Sequence, residues 1–98
     1  MTVSEIKLED LAEYLRLDAK SLLRREKAEL NTLLSAAKAF IRSYTGLDDD
    51  EVDQHEDFVI VAYILVQDMY DNRTLYIDRG NLSKVVETIL GMHSTNLL

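Results

Sequence analysis

The chain has no cysteine, no proline and only three glycines in 98 residues. Without cysteine there is no disulfide framework, no thiolate metal site and no thiol nucleophile. Without proline and with so few glycines, sharp turns are scarce, which suits a chain built of helices. Three glycines scattered at 46, 80 and 91 form no loop that would cradle a phosphate. No charged-then-apolar leader opens the sequence, so the expectation is a protein made and used in a cytosol. An excess of cations is missing as well: 11 Lys and Arg stand against 18 Asp and Glu, a net charge of −7. Non-specific affinity for DNA comes from cations paired with phosphates, so a free-standing DNA-binding protein is disfavoured.

That negative charge is concentrated. Residues 48–57, DDDEVDQHED, hold seven carboxylates and no Lys or Arg, and the rest of the chain balances eleven acids against eleven bases. At 47% hydrophobic, the composition is that of one ordinary globular domain spanning residues 1–98. A chain this small buries only about 60–70% of its unfolded surface, so stabilisation by neighbours is expected.

The longest hydrophobic stretch begins at Phe58: nine residues to Val66 are all apolar or Tyr. Phe58, Ala62, Leu65, Met69 and Asn72 continue at three- and four-residue spacing, which is helical rather than alternating. A helix apolar around most of its circumference must be surrounded by protein. Gln67, Asp68, Asp71 and Arg73 follow too soon for it to cross a bilayer, which needs roughly 20 apolar residues. No membrane partner is expected.

Around this central helix the sequence predicts three others. Leu8, Leu11, Ala12 and Leu15 form one face of a short helix over about residues 8–16. Asp18 is placed to end the connection and cap the next helix. From about Leu22 to Thr45 the apolar residues keep the helical period, and Gly46 stands where a left-handed terminating residue is wanted. Residues 46–52 read as an acidic connection, with Asp53 as N-cap of the central helix and Glu56 three residues on. The segment 74–80 reads as a loop or short extended arm, Gly80–Asn81 as a turn and cap. Leu82, Val85, Val86, Ile89 and Leu90 form a clean amphipathic face ending at Gly91, and 94–98 as a tail. The expected fold is all-α, a small bundle of about four helices around a central buried helix.

Little in the sequence points to catalysis or to a cofactor. No serine lies in a nucleophile-elbow context, and the abundant carboxylates fall on surfaces rather than in an apolar pocket that would split their pKa values. The acidic run lacks the D-x-D-x-D-G spacing and distal Glu of a calcium loop. His55 and His93 belong to different elements, and neither has a Cys or second His at ligand spacing. His55 lies among carboxylates, where a metal is conceivable, but it reads as a solvated residue ahead of a helix, and His93 as an extension of the last apolar face; no metal site is expected. One surface pattern stands out. Arg16, Lys20, Arg24 and Lys27, with Arg25 adjacent, make a basic stripe if the helix is continuous there. With the acidic patch of Asp48, Asp49, Asp50 and Glu51, it offers the two complementary halves of a head-to-tail contact between identical subunits, which closes into a ring or runs on as a filament.

The succession AAKAFIRSYTGL (Ala36–Leu47), an acidic connection, VAYILVQDMYDNR (Val61–Arg73) and LSKVVETILGMH (Leu82–His93) resembles the head–tail connector family of tailed bacteriophages and prophages, and LEDLAEYLRLD (Leu8–Asp18) is similar to that family's first helix. The resemblance covers nearly the whole chain and carries no catalytic motif. It implies a structural, non-enzymatic protein of the virion neck, assembled in the host bacterial cytoplasm. Its partners would be further copies of itself in a ring, the phage portal protein, and the next head-completion or tail protein. Tyr44, Thr45 and Gly46 would close the second helix; Tyr70, Asn72 and Arg73 would close the central one. Gly46 is wanted for its backbone freedom, and Arg73 stands where a cation meets exposed helix carbonyls. This sequence departs from the family in having little that can serve as a long extra arm beyond 74–80 and 94–98. The alternative reading is a small helical interaction or regulatory module that binds a partner through the Leu82–Leu90 face. A helix-turn-helix DNA binder is weaker, because no short helix carries a basic, polar recognition face after a tight turn.

Overall fold

In the computed structural model, which describes residues 1–74, 77 and 79–94, the chain is all-α. Among the described residues five helices succeed one another: α1 (Leu8–Tyr14), α2 (Arg24–Thr45), α3 (Asp49–Val52), α4 (Phe58–Asn72) and α5 (Lys84–His93). Single 3-10 turns lie at Val3–Glu5, Ala19–Ser21 and Arg79–Asn81. The apolar run becomes α4, and Phe58, Val61, Ala62, Leu65, Val66 and Met69 all lose their solvent contact. Each large side chain so buried contributes on the order of 1.5–3 kcal/mol.

α2 lies along α4 and α5 packs against both; Leu30, Leu33, Leu34, Ala37 and Ile41 of α2 and Val86 and Leu90 of α5 join the α4 residues in one core. The N-terminal turn adds Val3 and Ile6 to the same core. Its backbone is fixed by the Thr2 N–H donating to Glu5 at 2.7 Å, a bond that lowers the Glu5 pKa. Tyr63 on α4 stacks against Tyr14 of α1 with ring centroids 4.8 Å apart. Burial, then the nearby carboxylates of Asp10 and Glu13, push its hydroxyl pKa up. No helix among the described residues is long and apolar enough to cross a membrane.

The helix ends differ from the expectations in instructive ways. Asp18 does cap, but it caps the 3-10 turn, accepting from Lys20 N–H at 3.1 Å and Ser21 Oγ at 2.9 Å; α2 starts later, after Leu23. There Glu26 accepts the Leu23 N–H at 2.8 Å, the acid's own half of a capping box; the other half, a side chain accepting the Glu26 N–H, is one Leu23 cannot supply. The acidic connection is not a plain loop. It winds into α3, opened by Asp48 and Glu51 bonding reciprocally to each other's backbone N–H. That turn uses up the residues meant for the α4 cap. Asp53 ends α3 and accepts from Ser4 N–H at 3.0 Å, while α4 begins at Phe58 with no side-chain cap. The cap of α5 is Ser83, accepting from Val86 N–H at 3.2 Å, not Asn81. Gly91 does not stop α5, which runs through to His93. Residues 75, 76 and 78 of the expected arm at 74–80, and 95–98 of the expected tail, lie outside the described residues; Ile77 is half-buried against the core.

Candidate functional site

The two closing motifs sit at corresponding places. α2 ends on Gly46 at φ 76°, ψ 9°, its N–H bonding to Arg42 at 2.8 Å. Thr45 is fully buried, donating its hydroxyl to the Ile41 carbonyl at 2.7 Å and accepting the Leu47 N–H at 3.2 Å. The Tyr44 ring leans on Phe40, and its carbonyl accepts from Ser94 Oγ at 3.4 Å, tying the end of α2 to the end of α5. α4 ends on Arg73, also left-handed at φ 51°, ψ 46°, with Thr74 N–H reaching back to the Met69 carbonyl at 3.0 Å. Asn72 donates to the Asp68 carbonyl at 2.8 Å. The Arg73 guanidinium does not meet the helix carbonyls as expected. It lies over the Tyr70 ring at 4.6 Å and reaches Glu29 of α2 at 3.4 Å. A left-handed L-residue costs about 1–2 kcal/mol, and a cation over an aromatic face returns about 0.5–1 kcal/mol at an exposed site.

The basic stripe is not one helix face. α1 stops at Tyr14, Arg16 is left-handed at φ 61°, Lys20 is in the 3-10 turn, and only Arg24, Arg25 and Lys27 share a helix. All five cations are exposed, and none forms an ion pair among the described residues. Arg24, Arg25 and Lys27 occupy the first turn of α2, where the partial positive charge of a helix N-terminus disfavours cations. On the acidic side, Asp48 and Glu51 are engaged in capping α3 and Asp49 pairs with Arg42 at 2.9 Å. Of those four, Asp50 alone makes no side-chain bond among the described residues.

The acidic segment also contains a cluster that spacing could not reveal. α5 carries His93 back to the start of α4, where its Nε2 lies 2.9 Å from Asp57 Oδ2. The His55 ring lies against His93, centroids 4.0 Å apart and planes 34° from parallel. Phe58, completely buried, is the floor for both: His93 meets it edge-on at 5.2 Å and His55 at 5.1 Å. His55 is held by backbone, its N–H bonding to Val52 and its carbonyl accepting from Phe58 N–H, each at 3.1 Å. His55, Asp57 and His93 are all half-buried, and one ligand atom from each lies within 4.8 Å of the others. Treating the histidines separately, as the sequence invites, misses this. The usable signal was the helical phase of His93 on the face of Val86, Ile89 and Leu90, which directs it towards α4.

A depression between the end of α4 and the start of α5, about 340 Å³, is lined by Asp68, Met69, Asn72, Ile77, Asn81 and Leu82, with one titratable side chain among them. The structure thus defines a small all-α bundle. Comparison with protein-family models, with curated proteins and with solved structures found no match for this chain.

Proposed function

We propose that this chain is a structural subunit of a phage neck, a ring adaptor between the portal and the tail or next head-completion protein. The observation that carries the reading is the separation of charge on a chain that resembles that family along most of its length. Five exposed cations between Arg16 and Lys27 have no ion-pair partner among the described residues, and seven carboxylates crowd residues 48–57. Cations in the first turn of α2 oppose the helix dipole, so they do not support the isolated fold. A neighbouring copy presenting its acidic segment would satisfy them, and the same contact repeated head to tail closes a ring. Arg24 meeting Asp50 of the next copy is the pairing most consistent with this, since neither side chain is engaged among the described residues.

The alternative, a module binding a partner through the Leu82–Leu90 face, is less well supported. Val86 and Leu90 of that face are fully buried in the bundle, with Leu82 and Ile89 packed against the core. Native mass spectrometry over a wide concentration range tests the proposal, together with capture on an isolated portal ring. A discrete cyclic species, or a portal-bound ring, that dissolves in high salt and in Arg24→Glu is expected. A two-fold dimer that persists on dilution, or a monomer that ignores portal, would overturn it.

A further inference from the structure

We propose that His55, Asp57 and His93 form a binding site for one divalent transition-metal ion of the zinc type, which staples the end of α5 to the start of α4. This inference does not rest on the neck reading. Two imidazoles and one carboxylate are the donor set that zinc uses with water completing the shell. Ligand atoms held at about 2.0–2.2 Å around one ion stand about 3.3–3.6 Å from one another in a tetrahedron. The three donors here already lie within 4.8 Å, so half-exposed side chains close on an ion with a movement of about an ångström.

Several features of the corner favour a cation rather than a plain histidine–carboxylate contact. Among the described residues His55 makes no hydrogen bond through its ring, so a nitrogen lone pair is available. His93 and Asp57 are already aligned at 2.9 Å; with the neutral ring carrying its proton on Nδ1, the Nε2 lone pair and the carboxylate face the same point. The Phe58 floor and the backbone bonds of His55 hold the rings in place, the supporting shell a metal site needs. The surrounding segment 48–57 supplies seven carboxylates and no Lys or Arg, a field that concentrates cations. Two imidazoles select zinc, nickel or copper over magnesium and calcium, which prefer oxygen ligands. The ligands come from the turn after α3, the residue preceding α4 and the last residue of α5, so the ion joins positions 55, 57 and 93.

The test uses the full chain, stripped with a chelator and titrated with zinc(II), nickel(II) and magnesium(II). Calorimetry should find one zinc per chain, and zinc at a hundredfold its Kd should raise Tm by about 10 °C or more, with no shift from magnesium. His55→Gln and His93→Gln should each weaken zinc binding about tenfold or more, since loss of a direct ligand exceeds loss of a supporting one. His55→Gln/His93→Gln should abolish it, and Glu9→Gln/Glu87→Gln, exposed carboxylates outside the 48–57 segment, should keep it. Melts in chelator establish that each variant folds. Where one does not, the visible absorption of cobalt(II) on the wild-type chain decides: a four- or five-coordinate spectrum supports the site, and that of the aquo ion overturns it. Absence of a zinc-dependent Tm shift, or undiminished binding by the double variant, also overturns it.

Discussion

The two ends of α4 are closed by opposite means. Its start has no side-chain cap; Phe58 is seated by residues remote in sequence, with His93 arriving from α5 to cover it beside His55. Its end is closed by its own last residues, Arg73 turning left-handed, Thr74 bonding back to Met69, and the guanidinium folding over Tyr70. One end depends on tertiary structure and the other on local sequence. The start should therefore fail together with the whole core, and the end should tolerate changes that preserve its backbone geometry.

The sharpest way to break the comparison is Phe58→Ala. The side chain is fully buried and is the floor beneath both histidines. Removing it should cost about 3–5 kcal/mol in chemical denaturation. A loss below about 1 kcal/mol would mean that the start of α4 is not seated by the core.

Left-handed closure can be tested in the backbone at the ends of both α2 and α4. Gly46→Ala places a Cβ at φ 76° and should cost about 1 kcal/mol. Arg73 offers the reverse experiment. Arg73→Ala keeps the left-handed strain and loses the contacts to Tyr70 and Glu29, whereas Arg73→Gly loses the same contacts and relieves the strain. The glycine variant should be the more stable of the two by about 1 kcal/mol. Equal stabilities would show that the left-handed turn is not the closing device.

The same contrast explains how much was legible in the sequence. The central helix was legible because a helix apolar on nearly all sides leaves one reading, and Gly46 because a glycine after a periodic stretch is a local signal. The start of α4 was misplaced because Asp53 and Glu56 look like a cap; nothing in the letters shows that Asp48 and Glu51 wind the preceding residues into α3 first. The basic stripe failed for a related reason. Arg16 and Arg73 take left-handed conformations usually given to glycine, so the break after α1 carries no glycine to mark it. His55 and His93 are 38 positions apart, and only the packing of α5 on α4 makes them neighbours.

The smallest expected effect sharpens the tertiary side. His93 reaches Asp57 only because α5 remains helical through Gly91, whose added Cβ would meet no atom within 4 Å. Gly91→Ala therefore removes a backbone-entropy cost without a clash and should stabilise the chain by about 0.5–1 kcal/mol. Were Gly91 instead the left-handed terminator that its place in the sequence suggests, the same substitution would destabilise by about 1 kcal/mol. Thermal melts of the two proteins side by side separate the cases by sign, and the sign decides whether the last turn of α5 delivers His93 to the start of α4.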